Sequence, residues 1–529
     1  MVGYGRLAEY PGGRVLSAQP ELTIAPSAAG RTQLQPPSPA LVGARYWQQV
    51  LRIGLAGNTV EPLIDGPAAF SAIQRAIESA RTREHYIYLL GWWCDPWVNL
   101  TGPGTCLLDL FQRAGARGVQ IRVLIWQGGP FRNQVRLHEA AVQALNRLPN
   151  CHAQTDDPSW TKSQHQKLLV VNGSEGLVAL CGGVDVNADR LTSLPPPRTA
   201  YRSDRPANLG WVGGSGGSGS GSAGSGEPLH DVHARVTGPS ALPLMRMFLR
   251  RWLARSGDRA IDRTAPLRGQ FRGPVPPPTG QQFARVGETF DGVLQLPNRT
   301  PFRSRKVAVQ DIWLRSILAA RTYIYIEEQY LISMCAAEAI RSVLPRLQHV
   351  TILIAPSEIT DLYGRWRRRR EFIEHITRRN PHAGKLHIYT RVRLPAGSCR
   401  RDGPHVYIHA KMAVIDDELL LIGSANMNNR GWESDSELVV AAFEDTAARR
   451  ASTARRLRMA LWSHHLGQPA TRLADPVRSR ALWDSAPTRH VCRYDPQAGR
   501  DRLDLPDRVV DPSNRRPADP CCTLLRFCP

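Results

Sequence analysis

The stretch His409-Ala-Lys411-Met-Ala-Val-Ile-Asp416, followed by Ile422-Gly-Ser-Ala-Asn426, decides how this 529-residue chain is read. The apolar run after Lys411 spells a short buried strand, and a second one ends at the Gly-Ser pair. In a strand, residues i and i+2 share a face, so His409 and Lys411 project to one side while Ala410 and Met412 project to the other. Gly423 and Ser424 permit a close backbone approach beside that face, and Asn426 adds a neutral hydrogen-bond donor. A His, a Lys and an Asn gathered in this way make a pocket suited to a phosphate.

The first half offers a second copy: His165-Gln-Lys167-Leu-Leu-Val-Val-Asn172, then Cys181-Gly-Gly-Val-Asp185. One HxK is weak evidence, because a lone histidine is more often a core or surface residue. Two of them, 244 residues apart and each followed by an apolar strand and a Gly pair or Gly-Ser, form a specific signal. The surroundings repeat as well. Apolar spacing predicts a helix over Ala68 to Arg81, a strand over His85 to Leu90, a helix over Leu107 to Ala116 stopped by Gly118, and a strand over Val119 to Trp126. The second half answers with a helix over Val309 to Ala320 and strands over Tyr323 to Glu327 and Val350 to Ala355. Thr322-Tyr-Ile-Tyr-Ile-Glu327 echoes Glu84-His-Tyr-Ile-Tyr-Leu89. The expectation is an α/β fold of two duplicated α/β sandwich halves, packed around a pseudo-twofold axis with one shared active site.

A chain of this length exceeds what one hydrophobic core supports. The expected division is a loose leader over 1–45, a first half over 46–262 carrying a flexible Gly/Ser tract at 213–226, a Pro-rich connection over 263–300, a second half over 301–465 and a C-terminal tail over 466–529. The 44 Gly and 41 Pro fit ordered cores joined by irregular segments. The net charge of +22, nearly all of it arginine, fits a polyanionic partner, either an anionic membrane surface or nucleic acid. An arginine-rich coding bias explains the excess equally well. The run Arg365-Trp-Arg-Arg-Arg-Arg370 suits lipid headgroups or a solvated helix face, and Trp92 and Trp93 read as core packing before substrate mouth. Ten scattered cysteines lack the pairing of a zinc site, so most read as reduced core residues and no metal or other cofactor is expected. In the tail, Cys521, Cys522 and Cys528 fit an ordinary chain end better than lipidation or a local disulfide. Without a secretory signal or an apolar run of membrane-spanning length, the protein reads as soluble or peripheral, and cytoplasmic unless exported by a signal-peptide-independent route.

On these residues the chain closely resembles the phospholipase D superfamily, whose signature is HxKxxxxD followed by GS or GG and then Asn. The match at 409 to 426 is complete. Tyr325-Ile-Glu-Glu-Gln-Tyr330 is similar to the IENQ stretch of eukaryotic-type phospholipases D, and Leu229-His-Asp-Val-His233 leads into Val236-Thr-Gly-Pro239. The resemblance covers roughly Tyr46 to Glu444. It has two departures: Asn172 stands where the first motif normally has Asp, and Asp185 stands in the Gly-Gly-x-Asn position, as it does in the eukaryotic-type enzymes. The resemblance implies that Asp231 and Glu437 orient the two histidines and that Asp416, with Asn172 as its counterpart, supports them. It implies a metal-free reaction: His165 attacks phosphorus to form a phosphohistidine, and His409 protonates the leaving alcohol and then activates water. Lys167, Lys411 and Asn426 hold the non-bridging oxygens. Pseudo-symmetry leaves the order of the two histidines open. The implied function is hydrolysis of glycerophospholipids at a membrane surface to phosphatidate and head-group alcohol, by a monomer, with transphosphatidylation where an alcohol replaces water. The alternatives are a nucleic-acid phosphodiesterase of the same superfamily and an inactive scaffold that binds anionic lipid.

Overall fold

The computed structural model describes residues 43–52, 54–128, 132–156, 162–191, 201–206, 209, 229–256, 274–294, 302–355, 365–392, 405–444, 452–485, 491–497 and 511. The leader up to 42, the Gly/Ser tract, much of the Pro-rich connection and the cysteines at 521, 522 and 528 lie outside them.

After helix α1 (Gly43–Leu51), the first half runs β1 (Leu55–Ile64), α2 (Asp65–Ser79), β2 (Tyr86–Gly91), α3 (Leu107–Ala116), β3 (Gln120–Trp126), α4 (Arg132–Leu145), β4 (Cys151–Asp156), β5 (Leu168–Gly173), β6 (Gly176–Gly182), the two-residue β7 (Leu229–His230), β8 (Val232–Thr237) and α5 (Ala241–Ser256). The second half runs β9 (Gln282–Leu294), β10 (Phe302–Val307), α6 (Ala308–Leu318), β11 (Tyr323–Glu328), α7 (Met334–Val343), β12 (His349–Ile354), α8 (Arg365–Thr377), β13 (Leu386–Val392), β14 (His405–Ile408), β15 (Lys411–Ile415), β16 (Leu419–Gly423), α9 (Asn429–Glu433), β17 (Glu437–Glu444), α10 (Thr453–Leu466) and β18 (Val491–Arg493).

Strand pairing makes the duplication explicit. The first sheet has the order β4-β3-β2-β5-β6-β8-β1, parallel from β4 to β2 and antiparallel beyond. The second repeats it as β13-β12-β11-β15-β16-β17-β9. The sheets touch along β1 and β9, with Leu55 opposite Ala284.

Period-two alternation assigns each strand face to a different core. On β2, Tyr86, Tyr88 and Leu90 enter a central core shared by both halves, whereas Ile87 and Leu89 enter an outer core built from the first half. On β11, Tyr323 and Tyr325 face the central core and Ile324 and Ile326 the outer core of the second half. Both faces are buried, so these strands read as continuous apolar runs. Helices α5 and α10 fill the space between the sheets. Helix α10 starts at Ser452, whose hydroxyl accepts the Arg455 N–H, and stops at Gly467 in a left-handed conformation (φ 61°). From there it lays Leu457, Leu461, Trp462 and Leu466 into the central core.

Three expectations change. Helix α1 does not pack on the half it precedes: Tyr46, Trp47 and Leu51 join the outer core of the second half, and the Trp47 indole donates to Glu418 Oε2 at 2.9 Å. The stretch set aside as a tail is partly built into the fold, because Leu473 and Trp483 enter the central core and β18 pairs antiparallel with β13. Its Asp511 is buried and accepts the backbone N–H groups of Asn429 and Arg430 at the start of α9. Finally, the stretch set aside as a Pro-rich connection over 263–300 carries β9, which pairs with β17 and β1. The cysteines are as expected for most of them: Cys94, Cys106, Cys151 and Cys181 are free and buried, and Cys492 is disulfide-bonded.

Candidate active site

Both HxK motifs sit at the ends of corresponding strands. His165 and Lys167 occupy the extended segment just ahead of β5, and His409 lies between β14 and β15, with Lys411 the first residue of β15. The histidines are therefore not inside regular strands, as the spacing predicts. Each backbone N–H instead crosses to the other half: His165 N–H donates to Ser436 O at 3.0 Å and His409 N–H to His230 O at 2.8 Å.

The carboxylates behind the rings are exchanged in the same way. His165 Nδ1 lies 2.8 Å from Glu437 Oε1, on a strand of the second sheet, and His409 Nδ1 lies 2.6 Å from Asp231 Oδ2, between β7 and β8 of the first half. A neutral imidazole that donates Nδ1–H to a carboxylate keeps its Nε2 lone pair free. Glu437 is held on its other oxygen by the Ser424 hydroxyl at 2.5 Å. Glycines make room for this. A side chain at Gly183 would run into the Asp231 carboxylate, with Oδ1 1.9 Å from an added Cβ, and one at Gly423 would meet Leu438 O at 2.4 Å.

Each lysine turns back to the carbonyl of its own motif histidine: Lys167 Nζ to His165 O at 2.9 Å, and Lys411 Nζ to His409 O. Their other partners differ. Lys167 faces the Asp185 carboxylate at 3.4 Å, whose other oxygen accepts the Trp92 and Trp93 N–H groups. Lys411 donates to the neutral Gln329 Oε1 at 2.8 Å. Gln329 is held in turn by Arg369, whose guanidinium donates to the backbone oxygens of Gln329, Tyr330 and Ala355. Arg369 belongs to the arginine run read as a lipid-facing or solvated surface. It is 1% exposed and Arg368 is 8% exposed and paired with Asp511, so the run is in part structural.

Burial dominates the electrostatics. The His165 ring is pushed well below the ordinary histidine range by burial, then by Lys167, Lys411 and Arg430. His409 is pushed down by burial, then by Lys411, Arg190, Lys167 and His165. Each ring thus senses the lysine of the other half as well as its own. Burial lowers Lys411 to about 7, against Asp231 and Glu328, and raises Asp231 to about 6, against Lys411 and Arg190.

Of the other sequence-predicted residues, Asn426 and Asp185 are buried, Asp185 against Lys167. Asp416 stands off the reacting groups, accepting the N–H groups of Arg321, Thr322 and Tyr323 at 2.7 to 2.9 Å. Asn172 is half-buried on β5, opposite Tyr86 and Leu177.

Three contributors escaped sequence reading. Buried Arg190 spans Asp185, Asp189 and Asp231 at 3.9, 3.2 and 4.0 Å, linking the carboxylate that serves Lys167 with the one that serves His409. Gln329 was visible only as part of a quoted stretch. Trp92, read as core, stacks on Trp126 and sets its ring 5.4 Å from the His165 ring, with Lys167 Nζ 5.2 Å above it. Trp92 is at the same time partly buried against the outer core of the first half, and Trp93 lies within that core, at 7% exposure against His138.

Among the described residues, two groups come close enough to hold a metal ion: Asp65, His230 and His464, and His230, Glu327 and His465. Their donor atoms face one another and a neighbouring arginine. Both ring nitrogens of His230 face carboxylates at 2.7 Å, and Arg391 Nη1 lies 2.8 Å from His464 Nε2. In this structure they form an ion-pair network. Among the described residues no helix is long and apolar enough to cross a membrane.

Comparison with known proteins agrees with the geometry. The family model "Phospholipase D" matches residues 387–484. The chain is 24% identical to phospholipase D alpha 1 of Cynara cardunculus, over 79% of this chain and 65% of that protein, and 22% identical to phospholipase D alpha 4 of Arabidopsis thaliana, over 77% and 64%. It thus spans about 65% of the length of these relatives. Among solved structures, a phosphatidylserine synthase of Haemophilus influenzae Rd KW20 shares the fold, with a TM-score of 0.51 at 14% identity, covering 83% of this chain and 96% of that one.

Proposed function

The chain belongs to the phospholipase D superfamily, and from that premise we propose that it is a phosphodiesterase hydrolysing glycerophospholipids to phosphatidate and a free head-group alcohol. The observation that carries this reading is the crossed pairing of two His–Lys sets: each histidine is oriented by a carboxylate of the other half, so neither half is complete alone.

In the proposed reaction His165 Nε2 attacks phosphorus, the bond to the head-group oxygen breaks, and His409 gives that oxygen its proton. Water then attacks the phosphohistidine, losing a proton to His409, and phosphatidate leaves. The low proton affinity of His165 suits a nucleophile. His409 needs a proton to act as acid, and an anionic phosphate between Lys167 and Lys411 offsets the cations that depress it. The lysines and Asn426 stabilise charge on the non-bridging oxygens, where a cation serves in many other phosphoryl transfers. In this reading Trp92 walls the cleft beside His165, and an alcohol in place of water gives transphosphatidylation.

The net charge of +22, which suits any polyanion, favours a nucleic-acid substrate as the second reading. Turnover assays of the purified chain on phosphatidylcholine and phosphatidylethanolamine vesicles beside single-stranded DNA test the two. Release of choline or ethanolamine that disappears in His165→Ala supports the lipid reading. DNA cleavage without head-group release overturns it, and inactivity on all three points to an anionic-lipid-binding scaffold.

A further inference from the structure

Behind His409 lies a buried charged chain that the two-histidine reaction does not use. His230 is 1% exposed, and its Nδ1 and Nε2 lie 2.7 Å from Asp65 Oδ1 and 2.7 Å from Glu327 Oε2. An imidazole that donates from both nitrogens is an imidazolium. The two carboxylates hold its proton against burial, raising it to about 10. Glu327 is filled on its other oxygen by the Tyr325 hydroxyl at 2.5 Å and His465 Nε2 at 2.8 Å.

Asp65 comes from the first half and Glu327 from the second, so the triad crosses the junction of the halves at the point where His409 is held. It touches His409 through the backbone and through Asp231. The His230 carbonyl accepts the His409 N–H, and the next residue is the carboxylate on His409 Nδ1. Asp65 grips that dipeptide three times: its N–H donates to Asp231 O at 2.9 Å, and its Oδ1 accepts the Asp231 N–H at 3.2 Å as well as His230 Nδ1. To do so it adopts φ +65°, a conformation that costs a non-glycine residue energy and persists only where its surroundings impose it.

We propose that the Asp65–His230–Glu327 triad is a positioning device for the acid–base histidine, fixing Asp231 against His409 and keeping it ionised by the imidazolium charge beside it. The inference rests on the phosphodiesterase reading for its kinetic consequence, but its electrostatic consequence stands apart from turnover. The charged groups facing Asp231 are Lys411, Arg190 and His230, and those facing His409 are Lys411, Arg190, Lys167 and His165. Replacing His230 by glutamine removes one cation from the Asp231 set while leaving an amide donor.

The test compares the full chain with His230→Gln and, as a milder change, Glu327→Gln. Carbon-13 NMR of labelled aspartate follows the Asp231 titration, and kcat/KM against pH is read on a soluble phosphodiester. The expected result for His230→Gln is an Asp231 midpoint and an acidic limb both about one pH unit higher, with kcat at the optimum about tenfold lower and KM changed less than threefold. Glu327→Gln, which keeps the His230 cation on Asp65 and removes a carboxylate, should move the Asp231 midpoint less and in the opposite direction. Should the wild-type chain turn over no phosphodiester, the proposed function fails and the NMR midpoint alone decides the triad. Folded variants with an unmoved Asp231 midpoint, or a uniform loss of rate with no shift of the limb, overturn the inference.

Discussion

Asp416 in the second half stands just past its strand in a left-handed conformation (φ 57°) and accepts three consecutive backbone N–H groups at the start of β11. The corresponding residue of the first half, Asn172, lies within β5, half-buried. The same contrast runs through the pair. The second half presents Ser424, whose hydroxyl braces Glu437, where the first has Gly183, an opening filled by the Asp231 carboxylate. Lys411 is held by a neutral amide, Lys167 by a carboxylate. Two sheets with the same strand order thus carry the same reacting pair on different supports. Duplication preserves the His–Lys pair and frees what stands behind it.

The sharpest way to break this comparison is to remove one histidine at a time. His165→Ala should lose roughly 10⁴-fold or more in kcat on every diester, since no nucleophile remains. His409→Ala should lose about 10²–10⁴-fold on a phospholipid yet recover much of the covalent step with a p-nitrophenyl leaving group, which needs no proton. Steady-state and burst kinetics check both, and equal loss on both substrates in both variants would make the halves interchangeable.

The crossed carboxylates come next. Glu437→Gln should impair His165, and Asp231→Asn should impair His409, each by about 10²–10⁴-fold through a misplaced tautomer. Burst amplitude separates them: Glu437→Gln should suppress the phosphohistidine step, whereas Asp231→Asn should spare it with the p-nitrophenyl substrate. The reverse pattern would uncross the pairs.

A pH profile sharpens the contrast between the lysines. Asp231, raised to about 6 by burial, accepts from His409 only when ionised, so protonation below that value lowers kcat/KM. Lys411, lowered to about 7 by burial, loses its charge above it, so kcat/KM should fall again there. The expected bell is narrow, with limbs near 6 and 7, and the basic limb of kcat should lie higher because bound phosphate favours the charged lysine. A kcat/KM that stays flat from pH 7 to 9 would contradict the lysine assignment.

The smallest effects belong to the motif acids. Asp416→Ala removes an acceptor from three backbone groups and should cost about 1–3 kcal/mol of unfolding free energy, whereas Asn172→Asp should shift it by no more than about 1 kcal/mol. Denaturant titration of the two variants decides this, and equal effects would erase the asymmetry.

Local chemistry made much of this fold legible in sequence. Strands such as β2 and β11 are short apolar runs buried on both faces, and α3 ends where Gly118 takes a left-handed turn (φ 84°), so propensity and burial agree there. Both HxK motifs and their strand contexts were equally visible. What stayed hidden depends on contacts between residues distant in sequence. The partners in His165–Glu437 and His409–Asp231 lie 272 and 178 residues apart, and composition does not say which carboxylate serves which ring. The arginine run reads as surface because charge is normally solvated, but Arg369 is buried where three backbone carbonyls of Gln329, Tyr330 and Ala355 need donors. Helix α1 was placed with the half that follows it, although its Tyr46–Trp47 face fits the outer core of the other.

In the proposed reaction one cleft uses His165 as nucleophile and His409 as acid. Rapid acid-free quenching during turnover of a phosphorus-labelled substrate, followed by peptide mapping, tests it most directly. Label is expected on the peptide containing His165, none on that containing His409, and none in His165→Ala. Label on the His409 peptide that persists in His165→Ala would contradict it.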